Sequence, residues 1–203
     1  MFYRPGIDDH GLPHNPFKAM VTPRPIGWIS SLDGEGRVNL APYSFFNALT
    51  DSPPMICFSN TGTKADRPYG KDSVASIRET GEFVHNVVGL AMKDQMNASS
   101  GNYPAGADEY EIAGLEKAPC ELVAPPRVKG APGAFECKLW KIVDLPGENN
   151  VMVIGEVVGV HIDESVLRDG IFDILRYNPL ARLGYRDYTA VTEIFALNRP
   201  GQG

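Results

Sequence analysis

Hydroxyls, amides and aromatic rings crowd into two runs near the start of the chain. These are Arg24-Pro25-Ile26-Gly27-Trp28-Ile29-Ser30-Ser31 and Asn39-Leu40-Ala41-Pro42-Tyr43-Ser44-Phe45-Phe46-Asn47. Between them lies Asp33-Gly34-Glu35-Gly36, a composition that reads as a hairpin connection. Val38 and Leu40 alternate with Arg37, Asn39 and Ala41, so a second strand begins there. Pro42 lacks a backbone donor and is expected to end its regular pairing. A loop of this make-up can clamp a flat heteroaromatic ligand, because small residues allow close approach, backbone amides meet ring edges and rings stack. The same residues suit an ordinary barrel corner closed by Phe45 and Phe46. Taken alone, the stretch favours that plainer role.

A second candidate is Lys71-Asp72-Ser73, at the head of a segment that Gly81 should stop as a helix. Asp72 or Ser73 can cap it, and Val74 and Ile77 lie one turn apart. A cation and a hydroxyl at a helix N-terminus suit a phosphate, since free amides and the helix dipole point there. If Asp72 takes those amides as the cap, Lys71 and Ser73 must carry the anion. A capped surface helix with a solvated lysine fits the spacing equally well. Just upstream, Ser59 ends a short apolar strand and Thr61 to Lys64 open a polar loop.

Other reactive side chains are scattered. His10 and His14 are four apart, but Pro13 denies them a helical face, so no metal pair is expected and no metal ligands are assigned. Cys57, Cys120 and Cys137 are odd in number and widely spaced, which reads as reduced thiols. His161 shares the parity of Val153 and Val157 in the run Val151 to Ile162. It reads as a satisfied core histidine, or as a ligand contact should a cofactor lie near.

The elements that must position these residues are short. With 17 prolines and 21 glycines in 203 residues, strands and turns should dominate over long helices. Strands are expected at 26–32, 37–41, 55–59, 82–88, around 135–139 and at 191–197, and weakly at 121–123. Val151 to Ile162, apolar on nearly both faces, should be central and not an edge. Short helices are expected over 90–98 and within 164–176. The result is a single mainly β domain, most economically a barrel. A net charge of −6 with dispersed basic residues argues against nucleic acid, and no apolar run is long enough for a membrane span. The first residues lack a signal-peptide core, so a cytoplasmic location is expected.

Taken together these segments resemble the flavin reductase-like family, the FMN-binding split β-barrel that includes flavoredoxin. The resemblance rests on the two opening runs, on Lys71-Asp72-Ser73 and Thr80 to Asn86, and on Asp108 to Leu115 and Glu136-Cys137. It continues through Gly155-Glu156-Val157-Val158 and Pro179 to Gly184, all in family order over about residues 20 to 200. It implies FMN held by Trp28, Ile29, Ser30 and Ser31 and by Ala41, Pro42, Tyr43, Ser44, Phe46 and Asn47. Its phosphate would lie near Ser59, Lys64, Lys71, Asp72 and Ser73. Ser73 stands where threonine is frequent, and the 63–66 loop has a single lysine where an arginine-rich version is common. The resemblance also implies a homodimer with each flavin near the interface. NAD(P)H would be the electron donor, binding without a dinucleotide fold, since no GxGxxG precedes a helix. Three roles follow: an NAD(P)H-dependent flavin reductase serving a redox partner or oxygenase, a flavoredoxin-like electron carrier, or a non-redox flavin-binding module.

Overall fold

The computed structural model describes residues 1–62, 72–104 and 106–201, with only the backbone of Asp72. In chain order come α1 (Phe17–Met20), β1 (Arg24–Pro25), β2 (Gly27–Leu32), β3 (Val38–Tyr43), β4 (Phe46–Asp51), β5 (Pro54–Asn60), α2 (Asp72–Thr80) and β6 (Glu82–Asn86). There follow α3 (Lys93–Ala98), α4 (Glu109–Ile112), β7 (Lys117–Ala118), β8 (Arg127–Val128), β9 (Gly133–Asp144) and β10 (Val151–Ile162). The chain closes with β11 (Leu167–Arg168), β12 (Ile171–Phe172), β13 (Leu180–Arg182) and β14 (Tyr188–Ala190). No helix among the described residues is long and apolar enough to cross a membrane.

Seven strands form one antiparallel sheet in the order β3-β2-β6-β9-β10-β5-β4. Its two edge strands, β3 and β4, are joined by only Ser44 and Phe45. Two residues can connect opposite edges only if the sheet curls until those edges meet, which makes a split barrel pinched at this corner. β10 lies inside the sheet, as its apolar run requires.

Alternation then sorts side chains to two faces. Inside the curl, Ile29, Tyr43, Ile56, Phe58, Phe83, Cys137 and Val153 form one core, and α2 lays Val74 and Ile77 across its end. The rings of Tyr43, Phe58 and Phe83 pack in series, with centroids 4.6 and 5.7 Å apart. Gly81, with φ of 73°, ends α2 as its sequence foretells.

Outside the curl, Trp28, Leu40, Met96, Tyr110 and Val128 make a second core, with Val84, Ala134 and Val123 beside it. Here buried polar side chains hold the covering segment 121–128 by its backbone. Glu136 accepts from the N–H groups of Glu121 (2.9 Å), Leu122 (2.6 Å) and Val123 (3.1 Å). Glu82 accepts from Ala124 at 2.8 Å, and Asn86 accepts from Val128 at 2.7 Å. Ser30 and Tyr110 both donate to the carbonyl of Pro126.

Several sequence expectations change. Pro42 stays in β3, opposite Trp28, because β3 is an edge strand and its missing N–H has no neighbour to serve. Residues 121–123 are a loop and not a strand, because Glu136 satisfies their amides. Residues 164–176 form two 3-10 turns around the β11–β12 pair, set by Asp163 and Asp173 capping the N–H groups of Ser165 and Leu175. No strand forms over 191–197, where Ile194, Phe195 and Leu197 are exposed with no strand beside them. β9 and β10 slip register between Val157 and Gly159, so His161 leaves the face of Val157 and joins that of Glu136.

Candidate functional site

The corner between β3 and β4 gathers most of the chemistry singled out in the sequence, but not on one surface. Ile29, Ser31, Ala41 and Tyr43 face the barrel interior, while Trp28, Ser30 and Pro42 face the outer core. Trp28 is fully buried and its Nε1 donates to Ser99 at 2.9 Å. The Ser30 hydroxyl is committed to Pro126. The side chains of Trp28 and Ser30 therefore position the strand and do not share the interior with Ser31 and Tyr43.

Within the barrel, four polar groups converge beneath the start of α2. Asn39 Nδ2 donates to Ser73 Oγ at 2.6 Å, and the Tyr43 hydroxyl meets the same serine. Burial pushes the Tyr43 phenol up to about 12. Ser31 Oγ is buried with no hydrogen-bond partner among the described residues. Ser73 is itself buried, so its hydroxyl serves this interior cluster and is not presented at the helix end. Lys64, Lys71 and the Asp72 side chain lie outside the described residues. Asn39 was legible only as a strand residue; its role comes from α2 folding over it.

At the corner itself, Ser44, Phe45 and Ser59 are half-buried and Asn47 is exposed, whereas the half-buried Phe46 packs against the interior core. The Ser59 N–H donates to the Phe45 carbonyl at 2.8 Å, tying the corner to the end of β5. Phe46 lies over Gly27, where an added Cβ would come within 2.5 Å of its ring, and stacks on His85 at 4.4 Å. Burial drives His85 down from 6.5 to about 3, so the imidazole is neutral at physiological pH. Lys18 and Arg24 stand 5.8 and 5.9 Å from the Phe45 ring. Arg182, stacked on Tyr188 at 4.4 Å, lines a cleft of about 160 Å³ with Pro42, Tyr43 and Ser44. The corner thus has an aromatic floor with cations around it.

Past Asn60, where β5 ends, a larger cavity of about 550 Å³ opens between α2 and the β9–β10 turn. Arg78 and Asn150 line it, and the buried Asn60 Oδ1 beside them lacks a partner among the described residues. Neither Asn60 nor Arg78 was singled out in the sequence, although Asn60 directly precedes the Thr61–Lys64 loop. Cys57, on β5, has its thiol raised by burial, so it is not an activated nucleophile.

The model of the flavin reductase-like domain matches residues 19–185. The chain belongs to the flavin reductase-like family. This flavin reductase-like chain is 35% identical, over 170 residues, to an uncharacterized protein of Aquifex aeolicus (strain VF5), covering 83% of this chain and 85% of that one. Nitrilotriacetate monooxygenase component B from Bacillus cereus has a similar structure, with a TM-score of 0.88 and 28% identity over 97% of this chain and 98% of that chain. Flavoredoxin of Desulfovibrio vulgaris (Miyazaki F) is similar at a TM-score of 0.77 and 27% identity, covering 89% and 93%. The family is thus a flavin-handling one, and the residues present fit a flavin. The corner supplies rings and amides, and Asn60 Oδ1 and Ser31 Oγ are buried polar atoms lacking partners among the described residues.

Proposed function

We propose that the protein is an NAD(P)H-dependent flavin oxidoreductase that holds FMN at the β3–β4 corner and along the end of β5. The observation that carries this reading is the corner itself, where two edge strands meet over Phe45 and Phe46 with Asn47 exposed and three cations close by. Bound FMN would supply a ring that takes up hydride at N5 from a nicotinamide. The chain's own part is to position and to exclude water. Ser44 and Asn47 offer polar groups to the ring edge, and Ala41 with Tyr43 sets the backbone beneath it. Ser59 and Asn60 lead into the loop whose Lys64 and Lys71 would meet the phosphate. No side chain is assigned as acid or base, because hydride transfer to a flavin asks for none.

The exposed β4 edge, with Leu49 46% exposed beside Asn47, is where a second copy would cover the flavin in a homodimer. The likeness to a monooxygenase component B supports passing reduced flavin to a partner oxygenase. The likeness to flavoredoxin supports a second reading, a carrier that keeps its FMN and docks on a redox protein. One experiment tests both: a visible spectrum of the purified protein, then NADH and NADPH added without air. Rapid bleaching of added free FMN is the expected result. Retained FMN that neither nucleotide bleaches would favour the carrier. A colourless protein that leaves micromolar FMN fluorescence unquenched would defeat FMN binding altogether.

A further inference from the structure

On the outer face, away from the β3–β4 corner, three donors of different chemistry come together from distant parts of the chain. One ligand atom each from Cys120, Glu136 and His161 lies within 4.8 Å of the other two. Glu136 is 1% exposed, whereas Cys120 and His161 are half-buried. His161 Nε2 meets Glu136 Oε1 at 2.5 Å, and His161 also lines a cavity of about 250 Å³.

We propose that Cys120, Glu136 and His161 bind a single zinc-like divalent transition-metal ion, with a fourth position open toward that cavity. The donor set decides the class of ion. One thiolate and one imidazole select a borderline-soft ion, and calcium or magnesium would need oxygen ligands instead. Charge agrees. Glu136 brings one negative charge to a buried place where its other partners are three backbone N–H groups. A thiolate adds a second, so a divalent ion makes the cluster neutral.

Those three amides also orient the carboxylate, as the outer partners of metal ligands commonly do. Ligation through His161 Nε2 places the neutral imidazole's one N–H on Nδ1, and the Cys120 thiol proton would be released to solvent. Tetrahedral bonds of about 2.0–2.3 Å require ligand atoms roughly 3.4–3.6 Å apart. His161 must therefore back away from Glu136 by somewhat less than 1 Å, toward the cavity it already lines. The ion would fasten the loop carrying Cys120 to β9 and β10.

Cobalt(II) is the probe, because a thiolate ligand gives it a near-ultraviolet charge-transfer band and tetrahedral geometry gives strong visible bands. The full-length protein, stripped with chelator, should take up one Co(II) per chain with both signatures. Zinc should displace the cobalt and erase them. Cys120→Ser should lose the charge-transfer band and His161→Gln should weaken binding by more than the roughly 100-fold that loss of an outer partner can cost, while Cys57→Ser changes neither. Should a variant misfold, alkylation of the unaltered protein decides: zinc should shield Cys120 from iodoacetamide and leave Cys57 reactive. Absence of a charge-transfer band, a band that survives Cys120→Ser, or alkylation of Cys120 unaffected by zinc would each overturn the site.

Discussion

Inside the curl of the sheet, Ile29, Phe58, Phe83 and Cys137 meet apolar neighbours and one neutral histidine, whereas outside it Ser30, Asn86, Glu82 and Glu136 reach up to hold peptide groups of residues 121–128. The two faces belong to the same strands, so the contrast is not one of backbone. It follows from what covers each face. Apart from the polar cluster of Asn39, Tyr43 and Ser73 beneath the start of α2, the interior closes on itself and on the apolar side of that helix by dispersion and apolar burial. The exterior is covered by an irregular loop whose own N–H groups have no strand to pair with, so the sheet must offer acceptors. A loop can be made as solid a cover as a helix when buried side chains stand in for a neighbouring strand.

Four experiments break or sharpen that contrast. Phe58→Ala removes a fully buried ring from the interior and should cost about 3–5 kcal/mol in urea unfolding. Hydrogen exchange should quicken across the whole sheet, since the interior core is shared by most of its strands. Glu136→Ala leaves three loop amides without an acceptor and should cost about 3 kcal/mol, with Glu136→Gln near half of that. In contrast to Phe58→Ala, its fast exchange should concentrate at Glu121, Leu122 and Val123. Uniform loss in both variants would mean the faces are not separately held.

Acid should act on the faces in sequence. His85 is depressed from 6.5 to about 3, so below pH 6.5 the unfolded chain binds a proton that the folded one refuses. Stability should fall by about 1 kcal/mol between pH 7 and 5.5 and keep falling toward pH 3. His85→Phe, shaped for the slot between Phe46 and Phe135, should flatten that slope. Glu136 is held below the usual carboxylate range by its loop amides and His161. Its contribution is present above roughly pH 4.3 and is lost only as pH falls below that through its folded value. The loop should thus loosen after the interior has begun to weaken. The smallest effect is expected of Asn86→Ala, about 1–2 kcal/mol, through the Val128 amide and the Trp28 carbonyl it serves.

Local chemistry explains what was readable beforehand. The hairpin at Asp33–Gly36, the stop at Gly81 and the interior place of β10 are decided by residues within a few positions of one another. The burial of Glu136 was not readable, because the amides that draw it in lie 13 to 15 residues earlier in an irregular segment. The same holds at the corner. Ser44, Phe45 and Asn47 stand out by composition and lie at the corner, but Ser73, expected at a helix tip, is turned inward by Asn39, 34 residues away. Val191 to Leu197 alternates like a strand, yet β14 ends at Ala190 and no neighbour continues beyond it. Alternation specifies a strand only where something lies alongside.

The register slip at Val158 carries a last consequence. In a strand, each residue's face is counted from the one before, so an extra residue acts on all that follow. By hosting one, β10 lends its first half to the interior through Val153 and Val157, and Gly159 and His161 near its end to the exterior. A deletion of that single valine would not open a methyl-sized hole. It would turn the end of the strand over, sending His161 toward the barrel and Val160 toward Glu136, so sequence drift by insertion or deletion is far more costly here than drift by substitution.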